Sequence, residues 1–145
     1  MLKAIFFATA CCAMLVGCDV RKKDKQAQLS TVKQEIKDPT TVQIIDSVYD
    51  FGSTNEGEVV QYSYRFKNTG NKPLVVNNVS ASCGCTVPEK PEKPIMPGEV
   101  GFILVKFNSD KRPGEANKTI SVSSNANPPF PELLLKGTVV GKDKE

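Results

Sequence analysis

The chain has 145 residues, with 19 Lys and Arg against 16 Asp and Glu, and contains neither histidine nor tryptophan. Without histidine it has no Ser-His-Asp or Cys-His catalysis and no histidine-containing zinc site, because the commonest general base and nitrogen ligand are missing. A formal charge of +3 without a long basic block leaves no electrostatic footprint for nucleic acid, so no such partner is expected.

At the start, Lys3 supplies the charge of an n-region, and Ala4 to Val16 forms an apolar h-region without a charged residue, so residues 1–17 read as a signal peptide. A spanning helix needs about 20 apolar residues. This run stops at Gly17, Cys18 and the polar stretch Asp19-Val20-Arg21-Lys22-Lys23. Leu15-Val16-Gly17-Cys18 resembles the bacterial lipobox, which implies cleavage before Cys18 and lipidation of that cysteine with acyl chains of the palmitate type. At about 0.8 kcal/mol per buried CH₂, two or three such chains make a permanent membrane anchor. Processing removes Lys3, Cys11 and Cys12, so the 19 basic residues fall to 18 against 16 acidic ones and the mature chain is nearly neutral.

Residues 18–40 are rich in Lys, Gln and Asp and poor in aromatics, too polar to fold alone. They read as a flexible tether with a reach of about 25 Å. Leu29 to Ile36 has the pattern of a transient helix, and Arg21, Lys22, Lys23 and Lys25 suit anionic headgroups. Residues 41–141 carry strand signals, with a charged tail at 142–145. Ile44, Ile45 and Val48 to Gly52 form the front of this region. Val60, Tyr62, Tyr64 and Phe66 then alternate with Gln61, Ser63, Arg65 and Lys67, the period of a strand with one buried face. Asn68 to Pro73 is turn chemistry, in which Gly and Asn tolerate positive φ.

Leu74 and Val76 lie on one parity and Val79, Ala81, Cys83 and Cys85 on the other, which predicts a bulge near Asn77-Asn78. Val100 to Phe107 is apolar on both parities, as in a central or doubly covered strand. Ile120 and Val122, then Leu133, Leu135 and Val139, mark the last strands, separated by Asn125 to Pro129. About seven short strands in about 100 residues predict an all-β sandwich of immunoglobulin-like architecture. The acidic residues fall in turns and charged runs, where solvated surface is the ordinary reading. No catalytic residue and no cofactor are assigned.

Taken in order, Tyr49-Asp50-Phe51-Gly52, Phe66 to Leu74, Ser82-Cys83-Gly84-Cys85-Thr86, Pro97-Gly98-Glu99 and Ser124-Asn125 resemble the bacterial domain-of-unknown-function family numbered 1573. The family is common in lipoproteins of the Bacteroidetes. It is similar to the immunoglobulin-like domains grouped with the major sperm protein, which act as interaction modules. The resemblance, over roughly residues 42 to 140, implies a sandwich fold and an envelope location but no substrate.

Cys83-Gly84-Cys85 is the constellation with distinctive chemistry. On an extended strand the two Cα atoms would stand about 7 Å apart, at the limit for a disulfide. Gly84 permits a turn that brings them closer. Three readings stand open. The thiols are small buried hydrophobes at the core edge; or they form a strained disulfide in an oxidising compartment; or they do redox or soft-metal work. Two thiolates suit Cu(I), with Met96, the one methionine left after processing, as a third ligand. Thiol exchange would need a lowered thiol pKa, for which Lys90 and Lys93 are the helper charges nearest in sequence.

The resulting expectation is a lipid-anchored extracytoplasmic lipoprotein whose sandwich is a non-catalytic binding or structural module, with an unidentified protein or envelope partner. The alternative is a thiol-redox or Cu(I)-handling protein centred on Cys83 and Cys85. Asp19 directly after the lipidated cysteine is similar to an enterobacterial inner-membrane retention signal. Arg21-Lys22-Lys23 departs from the acidic surface-export signals of Bacteroidetes lipoproteins, so a periplasm-facing anchor is expected.

Overall fold

Strict alternation between Val59 and Asn68 gives a ten-residue strand whose inward row is Val60, Tyr62, Tyr64, Phe66 and Asn68. Around it a computed structural model describes residues 38–142. The segment expected to be a signal peptide, Cys18, the expected tether through residue 37 and the end of the charged tail lie outside the described residues. Eight strands are present: β1 (Val42–Ile44), β2 (Val48–Asn55), β3 (Val59–Asn68), β4 (Val76–Ala81), β5 (Thr86–Glu89), β6 (Val100–Asn108), β7 (Gly114–Ser124) and β8 (Leu133–Val140). They form two four-stranded sheets, β1-β3-β6-β5 and β2-β8-β7-β4. The Ig-like sandwich expected from the strand pattern is the fold.

Eight strands stand where about seven were expected, and two of the apolar runs divide between the sheets. The front run breaks after Ile44, so that β1 pairs with β3 while β2 runs parallel to β8. The run from Leu74 to Cys85 also breaks, leaving β4 on one sheet and β5 on the other. The parity switch is the expected bulge: the β4–β7 register slips between Val76 and Asn78.

Register places like with like across the core. Val60 faces Phe107, Tyr62 faces Val105 and Tyr64 faces Ile103 along β3 and β6. Ile120 faces Leu133 where β7 meets β8. The Tyr64 hydroxyl donates to the Leu134 carbonyl at 2.8 Å, joining one sheet to the other and satisfying the polar tip of a side chain only 1% exposed. Of the two readings of β6, the central one holds, between β3 and β5. Its second face is open, with Phe102 52% exposed.

β3 and β6 span the sandwich, about 30 Å for nine or ten residues, and define its two ends. The chain enters at the near end, beside the last residue of β3. Thr40 is buried, bridges to Ala126 and donates through its hydroxyl to Asn68 Oδ1 at 3.1 Å.

The turn after β3 differs in mechanism from the expectation of positive φ. Neither Asn68 nor Gly70 nor Asn71 has a positive φ. Gly70 is needed for close approach: a Cβ there would stand 2.1 Å from Thr40 Oγ1 and 2.7 Å from the Thr41 amide nitrogen. Asn68, fully buried, donates through Nδ2 to the carbonyls of Lys72 and Ile95, each at 2.8 Å, and accepts from the Gly70 amide at 3.1 Å. It is a structural brace rather than a turn residue.

Candidate functional site

At the far end the chain must cross from the edge of one sheet to the edge of the other, because β4 is the edge strand of the second sheet and β5 of the first. Residues 82–85 make that crossing. Ser82 holds the exit of β4: its amide donates to the Thr119 carbonyl at 3.0 Å, and its hydroxyl accepts from the Thr119 amide at 3.2 Å. The Thr86 amide donates to the Cys83 carbonyl at 3.2 Å, closing a turn, and the Asn108 amide donates to the Cys85 carbonyl at 2.9 Å, docking the turn on β6.

This turn shortens the Cys83–Cys85 Cα separation to 5.3 Å, and the two sulfurs are joined in a disulfide. A Cα separation near 5.5 Å is ordinary for a bridge, whereas the extended spacing is not. Cys85 is buried at 9% exposure, while Cys83 is half-buried. A disulfide sulfur carries no proton, so the Thr86 hydroxyl is the donor in its contacts at 3.5 Å with Cys83 Sγ and 3.9 Å with Cys85 Sγ. Closing a loop this small contributes on the order of 1.5 kcal/mol of chain entropy, about half of what a 15-residue loop contributes. The bridge ties together no elements that the chain has not already joined.

The disulfide forms one wall of an open cleft of about 370 Å³, whose other walls include Phe107, Arg112, Pro113, Glu115, Ala116 and Lys118. Two basic residues, Arg112 and Lys118, thus stand among the residues lining the cleft, together with the exposed Glu115 on the other parity of β7. The Lys118 ammonium lies 5.6 Å from the centroid of the Phe107 ring, within cation–π range, so its stem follows the apolar floor and its head reaches the opening.

These cations are not the ones anticipated from sequence proximity. The Lys90 ammonium donates to the Asn77 carbonyl at 2.8 Å, and neither Lys90 nor Lys93 lines the cleft. Arg112 and Lys118 arrive instead from the β6–β7 turn and from β7. One signal for Lys118 was present in the sequence: it shares parity with the buried Ala116 and Ile120, and a charge on an inward row marks an end open to water. Met96, proposed as a third copper ligand, is not brought to the cysteines. It precedes β6 at the near end, hydrogen-bonded through its amide to Glu99, whereas Cys85 sits beside the last residue of β6. Among the described residues no group of three or more Cys, Asp or Glu side chains converges to hold a metal ion.

The groups whose titration is displaced belong to the frame. The Arg65 guanidinium, bonded to both carboxylate oxygens at 2.7 and 3.1 Å, holds Asp46 below the usual carboxylate range. The Thr54 hydroxyl and the Asn55 amide lower Glu58. Burial pushes the phenols of Tyr62 and Tyr64 up.

The architecture is shared with solved structures. A protein of unknown function from Porphyromonas gingivalis W83 superposes with a TM-score of 0.59 at 16% identity, over 71% of this chain and 48% of that one. The present chain thus spans about half the length of that relative. The ASH/PapD-like domain 7 of human CEP192 gives 0.58 at 12% identity, over 72% of this chain and 89% of that one. At these identities the likeness is one of fold. No curated protein matches in sequence. Residues 42–139, the whole sandwich but for its first and last few residues, match the model of the family described as "Protein of unknown function (DUF1573)", and the chain belongs to that family.

Proposed function

We propose that the chain is a lipid-anchored extracytoplasmic protein whose sandwich is a non-catalytic binding module, meeting its partner through the end that carries the cleft. One observation carries this reading. The described chain enters at the near end, where Thr40 is fastened to Asn68 and Ala126, while the cleft opens at the far end, beyond the full length of β6. An anchor on Cys18 would therefore attach the sandwich through its near end, the end opposite the cleft.

Two measurements test it. Mass spectrometry of the mature N-terminal peptide should find Cys18 acylated, and Cys18→Ser should leave unprocessed precursor; an unmodified Cys18 would remove the anchor. A photo-crosslinking residue placed at Glu115 should trap an envelope protein in cells, and one placed at Asn71, at the near end, should not. Equal trapping from both positions would remove the assignment of the binding end.

The second reading, thiol chemistry at Cys83 and Cys85, is supported by the position of the bridge in an open, cation-lined cleft. Its copper-handling form loses support, since Met96 lies at the other end of β6.

A further inference from the structure

We infer that the Cys83–Cys85 bridge is a stoichiometric exchange site that oxidises a thiol pair on the partner. The inference rests on the proposal that the cleft end meets a partner, and it names the chemistry of that partner: two neighbouring thiols, of which one reaches the cleft as a thiolate.

Four observations converge. The bridge joins residues only two apart in sequence and within one crossover, where it contributes little to holding the fold. Its two sulfurs differ in access, Cys83 half-buried and Cys85 nearly covered, so a nucleophile meets Cys83 first. Arg112 and Lys118 are the two basic residues lining the cleft, and positive charge there favours an incoming thiolate and the thiolate that leaves. Finally, Gly84 at the tip is required neither by backbone conformation nor by crowding. Its φ lies outside the left-handed region, and a Cβ there would meet nothing within 4 Å. The tip of the turn that carries the bridge therefore borders open space.

The electrons and protons balance within the two proteins. A partner thiolate attacks Cys83 Sγ and a mixed disulfide forms. The Cys83–Cys85 bond breaks, and its electron pair leaves on Cys85 Sγ, to which the Thr86 hydroxyl donates, in a cleft lined by the basic residues Arg112 and Lys118. The partner's second thiol, after losing its proton to water, attacks the partner sulfur of the mixed disulfide and releases Cys83 as a thiolate. The partner ends as a disulfide, oxidised by two electrons. Cys83 and Cys85 end as two thiols, having taken up two protons from water to replace those the partner gave.

The test uses the full chain in detergent with Cys11, Cys12 and Cys18 replaced by Ser, oxidised so that Cys83 and Cys85 are paired. The probe is dithiothreitol, with reduction read by maleimide labelling and mass. The rate should be first order in thiol and unchanged by urea too dilute to unfold the protein. Gly84→Val should slow it at least tenfold with an unchanged unfolding midpoint. With anionic glutathione as probe, Arg112→Gln combined with Lys118→Gln should slow attack severalfold, and the difference should shrink as salt rises. Acid-quenched glutathione should be found on Cys83.

A rate that saturates with thiol and rises with dilute urea would mean that the bridge reacts only after the fold opens, and would overturn the inference. So would a rate that Gly84→Val leaves unchanged, or glutathione found on Cys85. Neither the anchor nor a partner enters this measurement, so its failure leaves the anchored binding module standing, and an unmodified Cys18 leaves the exchange site standing.

Discussion

The two ends of the sandwich solve the same problem, how to close a stack of two sheets, by different means. At the near end two side-chain amides, the buried Asn68 and the half-buried Asn125, pin the loops. Asn68 links β3 to Thr40, Gly70, Lys72 and Ile95, and Asn125 accepts from the Val75 amide while donating to the carbonyls of Asp38 and Pro73. At the far end the crossover from β4 to β5 carries a bridge inside its own turn, beside an open cleft. Buried polar groups that are fully satisfied give rigidity, and each is costly to disturb. A short disulfide at an open surface gives little rigidity and keeps its reactivity. The near end is built to be fixed. At the far end the β2–β3 turn is likewise held by the fully buried Ser109, whose hydroxyl accepts from the Gly57 amide at 3.0 Å, and it is the β4–β5 crossover that is left to be reached.

Substitutions can break or sharpen this contrast. The middle of the sandwich sets the scale. Tyr64→Ala removes a buried ring and the bond between the sheets, and should cost about 3–5 kcal/mol in denaturant unfolding. Tyr64→Phe keeps the ring and should cost about 1 kcal/mol. Equal losses from the two would mean that the hydroxyl, not the ring, carries the contact.

At the near end Asn68→Ala should cost about 2–3 kcal/mol, chiefly because the Lys72 carbonyl and the Thr40 hydroxyl lose their partner in a dry site. The Ile95 carbonyl retains the Leu74 amide, and the Gly70 amide retains the Thr41 carbonyl, which limits the damage. At the far end, replacing Cys83 and Cys85 together by Ala should lower stability by only about 1–2 kcal/mol and leave the fold intact. A far-end loss as large as that of Asn68→Ala would erase the contrast and make the bridge a structural brace.

The smallest effect lies on the open face, where Arg65 is half-exposed beside Asp46. Arg65→Ala should lower stability only slightly at neutral pH. The folded state lowers the Asp46 pKa, so this contribution is present above the unfolded carboxylate value and is lost as pH falls through the folded one. Wild type and Arg65→Ala should therefore converge in stability in acid. A gap that persists there would show that the Arg65 stem, through packing, is what matters.

Much of the frame was legible because strands write their exposure into the chain. The alternation from Val60 to Lys67, the parity switch at Asn77-Asn78 and the apolar run of β6 each report a local period, and each appears in the fold as that period demands. The reading of Asn68 to Pro73 as a turn was right in place and incomplete in cause. What makes Gly70 necessary is the Thr40 hydroxyl, 30 residues earlier in the chain, and no local pattern contains it.

The site divides the same way. The sequence alone determined the strands, the two cysteines two residues apart and the lipobox-like segment before Cys18, because these are statements about neighbours along the chain. Only the tertiary structure decided that the apolar runs divide between two sheets, that Arg112 and Lys118 rather than Lys90 and Lys93 face the cysteines, and that Met96 stands at the opposite end of β6. Those outcomes depend on sheet order and on pairs of residues brought together by long-range pairing, and a period of two carries no information about which strand lies next to which.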